Sequence, residues 1–252
     1  MKSFYIKELD HNFVLLNKSG SLLLLNTFHD FCYHKGYTIT KDIKHNTKTF
    51  IFVRNPIERM KTSFTWFLGH ENICKDFFGE YNPTEMCNLE YFIKFIDRQS
   101  EIYKINNTHF LPQKYELLGK SGNTLFKIND IMVNMLYPNY EFIQIESFNE
   151  TKNIAISSNK MRLGNEFIGD DVVTQTDNLF LKQLNYEDFK LFFALYHFNK
   201  TSLDLHHHGN KMLDITNQIE NGIFLLLEDE YRLYGYEIKK YFNNLKSISS
   251  LI

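Results

Sequence analysis

The sequence predicts a single α/β domain in which a short, largely parallel sheet is flanked by helices. Two observations predict it. Phe13-Val14-Leu15-Leu16 and Thr49-Phe50-Ile51-Phe52-Val53 are apolar runs of strand length, as expected of strands buried on both faces. Each is followed by a short polar turn and then by apolar residues at helical spacing, the order from which parallel sheets are built. A chain of 252 residues can bury a substantial core, and no internal repeat or low-complexity linker divides it, so residues 1–252 read as one domain. Lys and Arg number 28 against 30 Asp and Glu. No chain-wide field therefore favours nucleic acid or a membrane surface, and any anion site must be local. Cys32, Cys74 and Cys87 are odd in number and lack metal-ligand spacing, which suits a reducing compartment. The N-terminal MKSFYIKELDHN has no apolar signal core, and no run of about 18 apolar residues appears, so no stable membrane insertion is expected.

Residues 3–8 alternate weakly and suit an edge strand leading to the buried strand at 12–17. The turn Asn17-Lys18-Ser19-Gly20-Ser21 then opens a helix with Leu22, Leu25, Phe28 and Cys32 on one face, and Gly36 suits its C′ position. A strand, a short Gly/Ser loop and a helix N-terminus make an anion site, because the first N–H groups of the helix have no internal partner. Lys18 adds a mobile charge and the Ser19 and Ser21 hydroxyls add donors. The Lys precedes the only Gly, so the spacing is not that of a Walker A loop. Tyr37 to Thr40 is a short β-like run, and the polar segment 41–48 carries His45.

The strand at 49–53 ends on Arg54, and Pro56 suits the first turn of the next helix, with Glu58 favourable to its dipole. Arg54 thus stands at the carboxyl edge of a strand, where ligands of open parallel sheets bind, although an arginine there also suits a surface ion pair. Thr62 or Ser63, two turns into the helix, could share an anion with it; Arg59 and Lys61 read as solvated. Leu89, Phe92, Ile93, Phe95 and Ile96 form one apolar helical face. Residues 119–124 read as a loop despite their Gly-Lys-Ser. Ser147 and Glu150 have the spacing of a helix start; further helices are expected over 185–198 and about 215–243. Tyr231, Tyr234 and Tyr236 read as aromatic packing. His206-His207-His208 is not a metal site, since three consecutive imidazoles cannot face one ion from a regular element.

Taken together these stretches resemble the sulfotransferases that use 3′-phosphoadenosine 5′-phosphosulfate (PAPS). Asn17-Lys18-Ser19-Gly20-Ser21-Leu22 is similar to their 5′-phosphosulfate loop, with Asn17 in place of the usual Pro. Phe52-Val53-Arg54-Asn55-Pro56-Ile57-Glu58-Arg59 resembles their 3′-phosphate motif, which a Ser usually closes where Thr62 stands here. Asn107-Thr108-His109-Phe110-Leu111-Pro112-Gln113, Tyr140 to Glu146 and Leu227 to Tyr236 resemble, in order, segments of the membrane-type (Golgi-type) carbohydrate branch. His208-Gly209-Asn210-Lys211 resembles a late loop of the family, with Met212 replacing a hydroxyl residue. The Lys18-to-Arg54 spacing is short for the family, and the Golgi anchor has no counterpart, so the expectation is a cytoplasmic relative.

The resemblance implies a P-loop, nucleotide-kinase-like sulfotransferase fold. It implies transfer of a sulfuryl group from PAPS to a hydroxyl of a carbohydrate (a poly- or oligosaccharide or a glycolipid), leaving 3′-phosphoadenosine 5′-phosphate (PAP), without a metal. By the same token Lys18 contacts the bridging oxygen, Ser19, Gly20, Ser21 and Leu22 hold the 5′-phosphate, and Arg54 with Thr62 or Ser63 holds the 3′-phosphate. His109 and Gln113 would line the acceptor groove. A general base is needed, and an imidazole is the usual candidate. His34 and His45 are the two placed for it by resemblance and by topology; His109 and Glu71 remain alternatives. A P-loop-like kinase and a glycan-binding relative without activity are the competing readings. Nothing in the sequence points to a nucleic acid partner or fixes the oligomeric state.

Overall fold

The computed structural model describes residues 1–105, 107–118, 127–148, 177–206 and 221–237. Its sheet has five strands in the order β3-β1-β2-β4-β5. These are β1 (Lys2–Ile6), β2 (His11–Leu15), β3 (Ile39–Thr40), β4 (Thr49–Val53) and β5 (Tyr140–Gln144). β2, β4 and β5 are parallel, with Leu15 opposite Phe52 and Phe52 opposite Ile143. β1 runs antiparallel to β2, and β3 antiparallel to β1. The sheet is therefore half parallel by pairing, and β1, expected at the edge, lies inside it. The tight turn between β1 and β2 explains this: a hairpin connects only antiparallel neighbours, and β3 then covers β1's free side.

Side chains of the central strands alternate between two cores, as a pleat requires. Phe13, Leu15, Phe50, Phe52 and Ile143 enter one core with Phe28, Phe31, Phe180 and Phe192. Val14, Leu16, Ile51 and Val53 enter the other with Met60, Phe64, Phe67, Phe95 and Tyr231. Helix α1 (Ser21–Lys35) covers the first face and packs on α9 (Tyr186–His206). Helix α2 (Pro56–Leu68) covers the second, followed by α3 (Glu71–Phe78), α4 (Pro83–Met86), α5 (Leu89–Asp97), α6 (Gln99–Lys104), α7 (Gln113–Leu117) and α8 (Asp130–Leu136), with α10 (Asn221–Leu233) closing on α2 and α5.

Phe28 is the hub of the first core. Its ring lies 4.5 Å from Phe13, 4.9 Å from Phe192 and 5.3 Å from Phe4, centroid to centroid, and it is fully buried. Phe28→Ala is expected to cost about 3–5 kcal/mol, measured by denaturant unfolding, because the surrounding rings cannot collapse into the space without breaking their own edge-to-face contacts.

Capping follows the sequence closely. Asn55 Oδ1 accepts from the Ile57 and Glu58 amides, with Pro56 in the first turn. α1 stops at Gly36, which adopts φ +67°, and its N–H bonds to the Tyr33 carbonyl. Ser147 lies in a 3-10 turn, Ile145–Phe148, and donates to the Gln144 carbonyl; Glu150 lies outside the described residues. So do residues 119–124 and everything from His207 through Met212; His206 ends α9. Among the described residues no helix is long and apolar enough to cross a membrane.

Candidate functional site

The carboxyl ends of β2, β4 and β5 open on one edge of the sheet, the edge where ligands of parallel sheets bind. After β2 the chain turns through Lys18 at φ +62° and Gly20 at φ +67° before entering α1. Two left-handed residues in so short a turn aim the loop back over the helix start. Gly20 suits this conformation, whereas Lys18 holds it against its own Cβ, the sort of local strain that collects at functional sites. The first amides of α1, from Ser21 and Leu22, are those a helix leaves without internal acceptors.

The two loops are tied together by Gln113, which is fully buried at the head of α7. Its Oε1 accepts from the Ser19 hydroxyl at 2.7 Å and the Arg54 N–H at 3.0 Å, while its Nε2 donates to the Arg54 carbonyl at 2.7 Å. Gln113 is thus a brace between loops, not a substrate contact, since no part of it reaches the surface. Ser19 changes role with it. Its hydroxyl is spent on Gln113 and its amide on the Leu16 carbonyl, so the loop anions expected to rest on Ser19 have only Gly20, Ser21 and Leu22 left.

Arg54 extends across this edge. Nη1 donates to the Thr62 hydroxyl at 3.0 Å and reaches the Lys18 carbonyl at 3.4 Å, so the guanidinium is aligned by both loops. Of the two hydroxyls the sequence left open, Thr62 meets Arg54, whereas Ser63 is buried and takes a hydrogen bond from Arg59 Nη1 at 2.7 Å. Arg59 itself corrects the expectation of a solvated side chain. It is 0% exposed, donates from Nη2 to the Thr108 carbonyl at 2.9 Å, and its Nε has no partner. On α2 it shares the face of Pro56, Met60, Ser63 and Phe67, a periodicity that could have placed it inside. Lys61, by contrast, pairs with Glu58 near the surface.

Among the described residues, neither Lys18, Arg54 nor Arg59 forms an ion pair. The Lys18 ammonium instead sits 3.8 Å from the centroid of the Trp66 ring. Burial, helped by the neighbouring Arg59, pushes its pKa down to about 8. The three cations thus lack ion pairs, although the carboxylates of Glu116 and Glu146 hold the same two loops through the Asn17 and Asn55 N–H groups.

His109 lies in the 3-10 turn Thr108–Phe110, its ring 6.2 Å from Trp66 and its Nδ1 buried without a partner. Burial first, then Lys18 and Arg59, push its pKa below the ordinary imidazole value, so it is neutral at pH 7. The structure brings neither His34 nor His45 to this edge. His34 is exposed in the last turn of α1, about 20 Å along the helix from Ser21 at 1.5 Å per residue. His45 is exposed before β4, at the amino end of the sheet, beside Lys44, whose carbonyl binds Asn12. A helix that follows one parallel strand must carry the chain back to the opposite edge, and both residues lie at the end of that return. Glu71 opens α3 and pairs with Lys75 in the solvent.

The tyrosine-rich end of α10 buttresses the site from behind. Tyr231 donates to Asn55 Oδ1 at 3.0 Å, and Tyr236 to Glu146 Oε2 at 2.6 Å, while Glu146 Oε1 accepts the Asn55 N–H. These tyrosines are packed, as expected, and also hold the turn after β4 against the end of β5. Trp66 and Arg59 are the site residues that sequence reasoning passed over. Comparison of the chain with family models, curated proteins and solved structures yields no match.

Proposed function

We propose that the chain is a sulfotransferase with the P-loop, nucleotide-kinase-like fold, moving a sulfuryl group from PAPS to a carbohydrate hydroxyl. One observation carries the reading. Lys18 and Arg54, from loops 36 residues apart in sequence, converge on the carboxyl edge as unpaired cations, with Arg54 Nη1 only 3.4 Å from the Lys18 carbonyl. A nucleotide with phosphates at both its 5′ and 3′ positions matches two such anchors. Sulfuryl transfer, like phosphoryl transfer, asks mainly for alignment and for charge stabilisation.

In this reading the acceptor oxygen forms the new S–O bond as the bond to the 5′-phosphate oxygen breaks. Lys18 donates to that departing oxygen, and the amides at the start of α1 hold the phosphate. Arg54, aligned by Thr62, takes the 3′-phosphate. The acceptor proton passes to His109, which replaces His34 and His45 as the base because it alone of the three stands near Lys18, where burial and the neighbouring cations lower its pKa. No step requires a metal. The free cysteines accord with a cytoplasmic setting.

A transfer assay with sulfur-labelled PAPS over a glycan panel tests the reaction, alongside titration with PAPS, PAP and ATP. Labelled glycan and selective affinity for PAP support it; selective affinity for ATP would mark a kinase instead. Binding should also depend on pH in a defined sense. Above pH 8 the free protein must take up a proton at Lys18 to meet the anion. The association constant for PAP is therefore expected to be level below about pH 8 and to fall by up to about tenfold per unit above it, measured by calorimetry. Lys18→Ala should flatten that profile; a parent profile already level through pH 9 would contradict the role of Lys18.

A further inference from the structure

Trp66 is the chain's single tryptophan, and it is 46% exposed although it stands beside the most desolvated charges of the sheet edge. Lys18 rests on its ring at 3.8 Å, the His70 ring packs against it at 5.2 Å and the His109 ring at 6.2 Å. His70 is itself pinned through Nδ1 to the Trp66 carbonyl at 2.8 Å. A half-exposed indole fixed on a helix, with a cation over one part of its ring and a neutral imidazole beside it, is an arrangement that takes the apolar face of a sugar ring on the area left open and leaves its hydroxyls near both polar groups. We propose that Trp66, flanked by His70 and His109, is the platform on which an uncharged pyranose ring of the acceptor stacks, a proposal that rests on the sulfotransferase reading. The ring is uncharged because, among the described residues, the edge has no cation to spare for a sugar carboxylate. Arg59 is buried, and Arg54, aligned by Thr62, and Lys18 are the groups that meet the two phosphates of the donor. The acceptor hydroxyl then lies between Lys18 and His109, where the transfer needs it.

The emission of this lone tryptophan reads the platform directly. Protein saturated with PAP is titrated with chitotetraose, cellotetraose and an unsulfated chondroitin tetrasaccharide, by fluorescence and by calorimetry. A saturable change in emission with a neutral tetrasaccharide is expected. Trp66→Ala should weaken that binding about tenfold or more, while Trp66→Phe, which keeps a stacking face, should recover most of it. Trp66→Phe, which still offers Lys18 a ring face, should bind PAP within about threefold of the parent. Saccharide binding that leaves the emission unchanged and survives Trp66→Ala overturns the platform. So does binding of the chondroitin tetrasaccharide alone, or of none of the three while PAP binds. If PAP itself fails to bind, the donor reading falls, and the same saccharide titrations without PAP decide the platform by the same outcomes.

Discussion

Lys18→Ala is expected to lower sulfuryl transfer by about 10²–10³-fold while PAPS affinity falls by only about tenfold. The asymmetry follows from where charge develops. In the ground state the bridging oxygen carries little charge, and the phosphates are held in addition by helix amides and Arg54. In the proposed transfer negative charge accumulates on that oxygen as the S–O bond breaks, and the Lys18 ammonium, partly desolvated and without an ion pair among the described residues, is the donor assigned to it. Folding should be little affected. Lys18 has no ion pair to lose, and alanine meets the same strain at φ +62° as lysine does. Single-turnover transfer of labelled sulfate, with unfolding measured in parallel, checks both halves. A variant that transfers at the parental rate removes Lys18 from the mechanism.

The second large effect is structural. Gln113→Ala leaves the Ser19 hydroxyl, the Arg54 N–H and the Arg54 carbonyl without their partners in a buried place. Each such group costs about 1–3 kcal/mol, so a loss of about 3–5 kcal/mol is expected, with water entering the vacated volume holding it near the lower figure. Because the brace also sets the distance between the two anion loops, PAP affinity should fall together with stability. An acceptor-binding residue would behave otherwise, raising the KM for the glycan while leaving the unfolding midpoint in place. Denaturant unfolding and PAP calorimetry on the one variant separate the two roles.

How much of this was legible beforehand can be seen residue by residue. The strands at Phe13 to Leu16 and Thr49 to Val53 announced themselves because burial on both faces demands unbroken apolar runs. The Gly36 stop and the Asn55-Pro56 start were equally plain, because capping is decided within a few residues. Hence the sequence alone places Lys18 and Arg54 at strand ends. The antiparallel pairing of β1 was less visible, since a weakly alternating strand carries no mark of which neighbour it takes.

The residues that went astray did so for want of distance. His34 and His45 have suitable chemistry and stand near the right places in the sequence, but a returning helix sets them at the far edge of the sheet. Gln113 reads as a polar residue fit for a substrate, and only its three buried bonds show it to be a brace. Arg59 looks like any charge on a helix until the Thr108 carbonyl and Ser63 close over it.

The sequence by itself determined the two buried strands, the helices that follow them with their caps at Asn55 and Gly36, and that a cation-bearing turn follows each strand. These are matters of local sterics and of apolar periodicity, and they need no partner from elsewhere in the chain. The tertiary structure alone decided that the two turns share one edge, that Arg59 is inside, and that Trp66 and His109 stand beside Lys18. Those facts come from packing between segments far apart in sequence, where burial, and not local preference, settles what a side chain can do.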